Sequence, residues 1–216
     1  MKFEQLLAAV VHDLKNQLQS LLDFEQDALG RIPEKYHKEL EPILQRTNRL
    51  KNDSLQLITL YRFHENDQFP MDDAWPRDTV NDAIEATSLQ FPTIQFHNLV
   101  DDDCQGFYNE TLIQLALVTL ITNSAQAGAT EIKIKADDSD GSLMIEVNDN
   151  GPGFAKAVLD GETDSTKEGP GGLGLYFVQL IAQHHSQSDH HGTIKIDNRK
   201  LMNNQIGGAQ VRLYLP

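Results

Sequence analysis

Two runs decide the architecture of most of this chain: Glu131-Ile-Lys-Ile-Lys-Ala136 and Ser142-Leu-Met-Ile-Glu-Val-Asn-Asp149. In the first, Ile132, Ile134 and Ala136 alternate with charged residues; in the second, Leu143, Ile145 and Val147 share one face. A period of two marks a strand with a single buried face. Asp137-Asp138-Ser139-Asp140-Gly141 lies between them, a polar run ending in Asp-Gly that suits a hairpin loop. Just upstream the period is about 3.6. Leu112, Leu115, Ala116, Val118, Leu120 and Ile121 mark a helix from a cap at Asn109 to about Ala127. Near the end of the chain, Ile194 and Ile196 alternate with Lys195 and Asp197, and Val211, Leu213 and Leu215 with Arg212 and Tyr214. Strands with one apolar face need helices on that face, so the expectation is a two-layer α+β domain.

Towards the N-terminus, Pro76 suits the first position of a helix carrying Val80, Ala83, Ile84 and Leu89, and Ile94 to His97 reads as a short strand. Residues 67–76, with Asp67, Pro70, Asp72 and Asp73, are polar and aperiodic and read as a linker. The expected division is therefore 1–66, linker 67–76, and 77–216. The first part carries a helical pattern from Lys2 to Leu29, a break at Gly30-Arg31-Ile32-Pro33, and a second helical pattern through Leu40, Ile43, Leu44, Leu50, Leu57, Ile58 and Tyr61. Pro42 predicts a kink or an irregular first turn in that second helix. Two helices and a short loop form an antiparallel hairpin, which alone buries too little surface. A second copy completes a four-helix bundle, so a homodimer is expected.

The chain has 216 residues and a formal charge of -14, from 32 acidic against 18 basic residues. Such a surface repels phosphate backbones, which argues against nucleic acid as a partner. No run of about 18 apolar residues exists, so no membrane span is expected. Cys104 is the one cysteine. It excludes an internal disulfide and fits a cytoplasmic setting.

Four stretches could carry chemistry. Val11-His-Asp-Leu-Lys-Asn-Gln-Leu18 places His12 and Asn16 on one helix face, roughly opposite Leu7, Val10, Leu14, Leu18 and Leu21, with Asp13 beside the histidine. A solvated helix face explains that pattern equally well. Asn123 lies near the end of an apolar helix; a buried asparagine satisfies backbone groups, but its amide oxygen also suits a hard cation such as Mg²⁺. Asp149-Asn150-Gly151-Pro152-Gly153 is either a tight turn or a carboxylate beside a close backbone approach to a ligand. Lys167 to Leu175, with Gly169, Gly171, Gly172 and Gly174, runs into a helical pattern, and free N–H groups at a helix start suit phosphate. His184, His185, His190 and His191 form a denser histidine group with only Asp189 as an acidic companion, a weak case for a metal.

Taken in order, His-Asp-x-Lys-Asn, then Asn123, then Asp149-x-Gly-x-Gly, then Gly172-Leu173-Gly174-Leu175 resemble the H, N, G1 and G2 boxes of the sensor histidine kinases, and most of all their nitrogen-regulation type. The resemblance implies an N-terminal dimerisation and phosphotransfer hairpin followed by an α/β sandwich ATP-binding domain of the GHKL type. It implies ATP and Mg²⁺ as cofactors and the receiver domain of a response regulator as partner. His12 would be the phosphorylated nucleophile, Asp13 would orient it, and Asn16 would align a water for dephosphorylating the partner. Asn123 would ligate Mg²⁺ and Asp149 would read the adenine amine. Gly151, Gly153, Gly172, Leu173, Gly174 and Leu175 would shape the pocket, and Lys167 would touch the phosphates. Residues 154–171 would form a lid. The chain departs from the pattern at Gln17, Thr119, Ser124 and Pro170. With His12 so close to Met1, the expectation is that input arrives from a separate sensor protein or that the segment was cut from a longer one. The alternative is a phosphotransfer protein that does not use ATP and whose second domain only docks a partner.

Overall fold

The structure, a computed structural model, describes residues 16–17, 19–21, 23–24, 27–28, 30–33, 37–64, 69–139, 141–160, 172–187, 189–200 and 206–216. In chain order its elements are α1 (His37–His64), β1 (Asp72–Ala74), α2 (Pro76–Ser88), β2 (Gln95–Asn98), β3 (Gly106–Tyr108), α3 (Glu110–Gln126), β4 (Glu131–Asp137) and β5 (Leu143–Asp149). They continue with α4 (Lys156–Leu159), α5 (Gly172–His184), β6 (Ser186–Gln187), β7 (His190–His191), β8 (Thr193–Lys200) and β9 (Ile206–Leu215). The chain divides into two compact units, Met1–Gln68 and Phe69–Pro216.

In the second unit the alternating runs pair as their pattern dictates. β4 and β5 are antiparallel, with Ile134 opposite Val147 and Ala136 opposite Ile145. β5 pairs with β9, placing Ile145 opposite Leu213 and Val147 opposite Val211. The sheet order is β2-β4-β5-β9-β8, mixed because β2 runs parallel to β4. Ile132, Ile134, Ile145, Val147, Val211 and Leu213 are all buried. α3 lies against both α2 and α5 and contributes Ile113, Leu117 and Ile121 to the same core. On β5 and β9, side chains between those apolar positions form a polar lattice. Glu146 accepts from Arg212 (2.7 Å), Gln210 (2.9 Å) and Asn148 (2.6 Å). The expected two-layer α+β architecture is present.

Capping follows the sequence. Pro76 opens α2, and the Asn109 side chain accepts from Leu112 N–H at 2.9 Å to start α3. The linker reading of residues 67–76 does not describe all of that stretch. Asp72–Ala74 pairs antiparallel with Gly106–Tyr108, and the Asn109 amide donates to the Pro70 carbonyl at 2.6 Å. These partners lie more than thirty residues away, so local composition carries no trace of them. In the first unit every described residue from 16 to 28, together with Gly30 and Arg31, is helical, and Pro42 lies inside α1. Buried Thr47, Ser54 and Thr59 there donate to the carbonyls four residues back. Among the described residues no helix is long and apolar enough to cross a membrane. No group of His, Cys, Asp or Glu among them could hold a metal, so the histidines at 184, 185, 190 and 191 form no such site.

His185 has a structural role instead. It is 1% exposed, its Nδ1 lies 2.8 Å from the Ile181 carbonyl, and its Nε2 lies 3.1 Å from the Asn109 N–H. Nδ1 must donate and Nε2 must accept, which fixes the neutral ring. Burial holds its pKa below the ordinary histidine value, the bond to Ile181 opposes this, and the neighbouring His184 adds to the lowering. The unfolded chain therefore binds this proton more readily than the folded one, and stability is lost as pH falls below about 6.5. In urea titrations at about pH 7.5 and about pH 5.5, the wild type should lose more stability than His185→Asn, by up to roughly 1 kcal/mol. An identical pH dependence in both proteins would contradict this role.

Candidate functional site

The last two turns of α3 and the end of β5 meet at one carboxylate. Asp149 is 5% exposed and accepts three hydrogen bonds. Ser124 Oγ on α3 donates to its Oδ2 at 2.8 Å. The Gly151 N–H, in the turn that follows, donates to Oδ1 at 2.8 Å, and the Ala209 N–H of β9 donates to Oδ1 at 2.9 Å. A carboxylate offers about four lone-pair directions, so one remains on Oδ2.

That oxygen borders a cavity of about 430 Å³. Leu120, Val147, Val158, Leu175 and Val211 supply its apolar lining, Pro152 to Ala155 form a wall, and Asn123, Ser124 and Gln126 add polar groups. Asp149 is the sole charged side chain among the described lining residues. A concave, largely apolar site with a few convergent polar groups is the usual form of a small-molecule pocket. An anionic acceptor in such a lining favours a flat, neutral ligand that offers a hydrogen-bond donor.

Asn123 is the second polar feature. Its Nδ2 is buried and has no hydrogen-bond partner among the described residues. A buried amide without a structural partner is unusual. Gly174, in the first turn of α5, lies over it, and a Cβ there would sit 2.9 Å from Asn123 Nδ2 and 3.2 Å from Thr119 Cγ2. Glycine at 174 thus lets α5 approach α3 and leaves the amide its place. The turn after Asp149 depends on backbone freedom as well: Gly153 has φ +78°. Asn150 serves the fold, its Oδ1 accepting from Thr130 and Glu131 N–H at 2.8 and 3.0 Å.

The structure therefore gathers Asn123, Asp149, Gly153 and Leu175 around one cavity, with Gly151 and Gly174 packed against its polar groups. Gly172 and Leu173 stand in the first turn of α5. Asn16 is helical and exposed in the first unit. His12, Asp13 and Lys167 lie outside the described residues, as does most of the expected lid. The sequence reading missed Ala209 and Gly208. Gly208 has φ +119°, and a Cβ there would run into the Asp149 carbonyl oxygen. Paired glycines within an alternating strand are a signal of close backbone approach that could have found it.

Residues 108–216 match the sequence family described as histidine kinase-, DNA gyrase B-, and HSP90-like ATPase. The chain belongs to that family. Among curated relatives, the tetrathionate sensor histidine kinase TtrS of Salmonella typhimurium is 25% identical over 196 residues, covering 83% of this chain and 33% of that protein. An NtrY-like sensor histidine kinase of Rickettsia bellii is 26% identical over 216 residues, covering 94% of this chain and 33% of that protein. The chain spans about a third of the length of these relatives. Full-length ShkA, solved with AMPPNP, has the same fold: TM-score 0.66, 14% identity, 98% of this chain and 45% of that one. Every described residue that lines the cavity falls within the matched segment.

The two glycines beside the polar groups should respond differently to alanine. At Gly174 the methyl meets the ends of side chains, and alanine raises helix propensity, so stability should change by less than about 1 kcal/mol. At Gly208 it meets backbone at a positive φ, and the loss should be about 2 kcal/mol or more. Urea unfolding of the two variants checks this, and equal midpoints would contradict the geometry.

Proposed function

We propose that the chain is the phosphotransfer and catalytic core of a histidine kinase, which moves the γ-phosphoryl group of ATP to His12 and from there to an aspartate of a response-regulator receiver domain. The observation that carries this reading is the remaining lone pair of Asp149, in a pocket with no other charged described lining residue. The exocyclic amine of adenine would donate to it, and the apolar lining would hold the flat base. Asn123 fits a hard cation through its amide oxygen, and its Nδ2, bound to no described residue, would donate to a ligand oxygen. Mg²⁺, when bound there, would supply positive charge to the phosphate oxygens. Lys167 and the N–H groups at the start of α5, from Gly172 to Leu175, would receive the phosphates.

In the transfer, a ring nitrogen of His12 forms a bond to the γ-phosphorus. The bond from that phosphorus to the β–γ bridging oxygen breaks, and ADP leaves with the electron pair. Asp13 would orient or deprotonate the imidazole, leaving the far ring nitrogen to attack. The receiver aspartate then displaces His12 from phosphorus, and Asn16 would align the water that later hydrolyses the acyl phosphate.

Dimerisation would use α1. Ile43, Leu50 and Leu57, spaced by seven, are 52%, 53% and 60% exposed in the single chain, a stripe that a second copy would cover in a four-helix bundle. The hairpin would span residues 1–66 and the catalytic domain would begin at Phe69, with a hinge between them. A cytoplasmic location completes the proposal. With labelled ATP, His12→Gln should incorporate no phosphate while binding ATP as the wild type does. Wild-type labelling in that variant would overturn the assignment.

A further inference from the structure

The pocket wall from Pro152 to Ala155 belongs to no strand or helix, so its backbone groups need partners from elsewhere. One side chain serves both groups of Phe154. Asn198 Oδ1, on β8, accepts from the Phe154 N–H at 2.6 Å, and Asn198 Nδ2 donates to the Phe154 carbonyl at 2.9 Å. A side-chain amide offers a donor and an acceptor in one plane, as a peptide group does. Here it acts as a one-residue strand partner for the wall.

The local shape of β8 supports that use. Its register with β9 shifts between Asn198 and Lys200. Such bulges re-aim side chains beside functional sites. Arg199, within the shift, places Nη1 3.3 Å from the Asp149 carbonyl. A Cβ at Gly153 would lie 2.6 Å from Asn198 Oδ1, so the glycine in the wall is required by the asparagine as well as by its own φ. The wall and the backbone of Asp149 are thus held from the same stretch of β8.

We infer that Asn198 is a positioning residue of the nucleotide pocket: its amide holds the Phe154 backbone, and with it the wall from Pro152 to Ala155, in place beside Asp149. This rests on the ATP reading above and adds a residue outside the four motifs that suggested it.

Asn198→Asp is nearly isosteric. It keeps the acceptor for the Phe154 N–H but sets an acceptor against the Phe154 carbonyl. Asn198→Ala leaves both groups to water. Titrating the full chain with a fluorescent ATP analogue at about pH 7.5, Asn198→Asp should bind at least about tenfold more weakly than wild type, and Asn198→Ala less weakly than that. Towards about pH 5 the aspartate variant should recover severalfold relative to wild type, because a protonated carboxyl can again donate to the carbonyl. The alanine variant's ratio should stay flat; Asp197 and Arg199, the flanking charges, are common to all three proteins. Lower melting temperatures with wild-type affinities, measured well below the melt, would overturn the inference. So would an aspartate variant that binds as wild type while wild type binds ATP. A wild type that binds no ATP would overturn the nucleotide reading itself.

Discussion

The site turns on how the Asp149 carboxylate is held. Its donors come from three places: Ser124 on α3, Gly151 in the turn after β5, and Ala209 on β9. A buried carboxylate needs such donors, because an unpaired charge in a dry site costs several kcal/mol. Each donor in turn needs the fold. Ser124 requires α3 to end against β5, Gly151 requires the turn, and Ala209 requires Gly208 to pass within reach of the Asp149 backbone. One hydrogen-bonding direction is left for a ligand, so the acceptor is specific because the other three are filled.

Asn123 is the complement of that arrangement. Asp149 is nearly saturated, whereas the Asn123 Nδ2 has no partner among the described residues. Such a donor is tolerated where an acceptor on a ligand completes it. The close approach of Gly174 keeps the amide in place: even a methyl at that position would press on Asn123 and require its side chain to shift.

Much of this was legible in the sequence, for a physical reason. Strand and helix periods, the Asn109 cap and Pro76 are local signals, and in the second unit each appears where its pattern placed it. Asn123 and Asp149 were found through motifs, and both border the cavity. β1 and β3 were invisible because three-residue strands have no period to read, and their pairing is distant in sequence. Asn198 gave no local signal, since its two bonds to Phe154 cross 44 residues. Ser124 was noted only as a departure from the family pattern; its hydroxyl donates to the carboxylate that defines the pocket.

The proposed ATP reading requires Asp149 to present an acceptor to an exocyclic amine on the ligand. Guanine carries a carbonyl where adenine carries its 6-amino group, so it would set an acceptor against an acceptor in a buried site, a mismatch of about 1–3 kcal/mol. Calorimetric titration of the full chain with ATP and with GTP in the presence of Mg²⁺ tests this directly. ATP should bind at least about tenfold more tightly than GTP; equal affinities would contradict the claim.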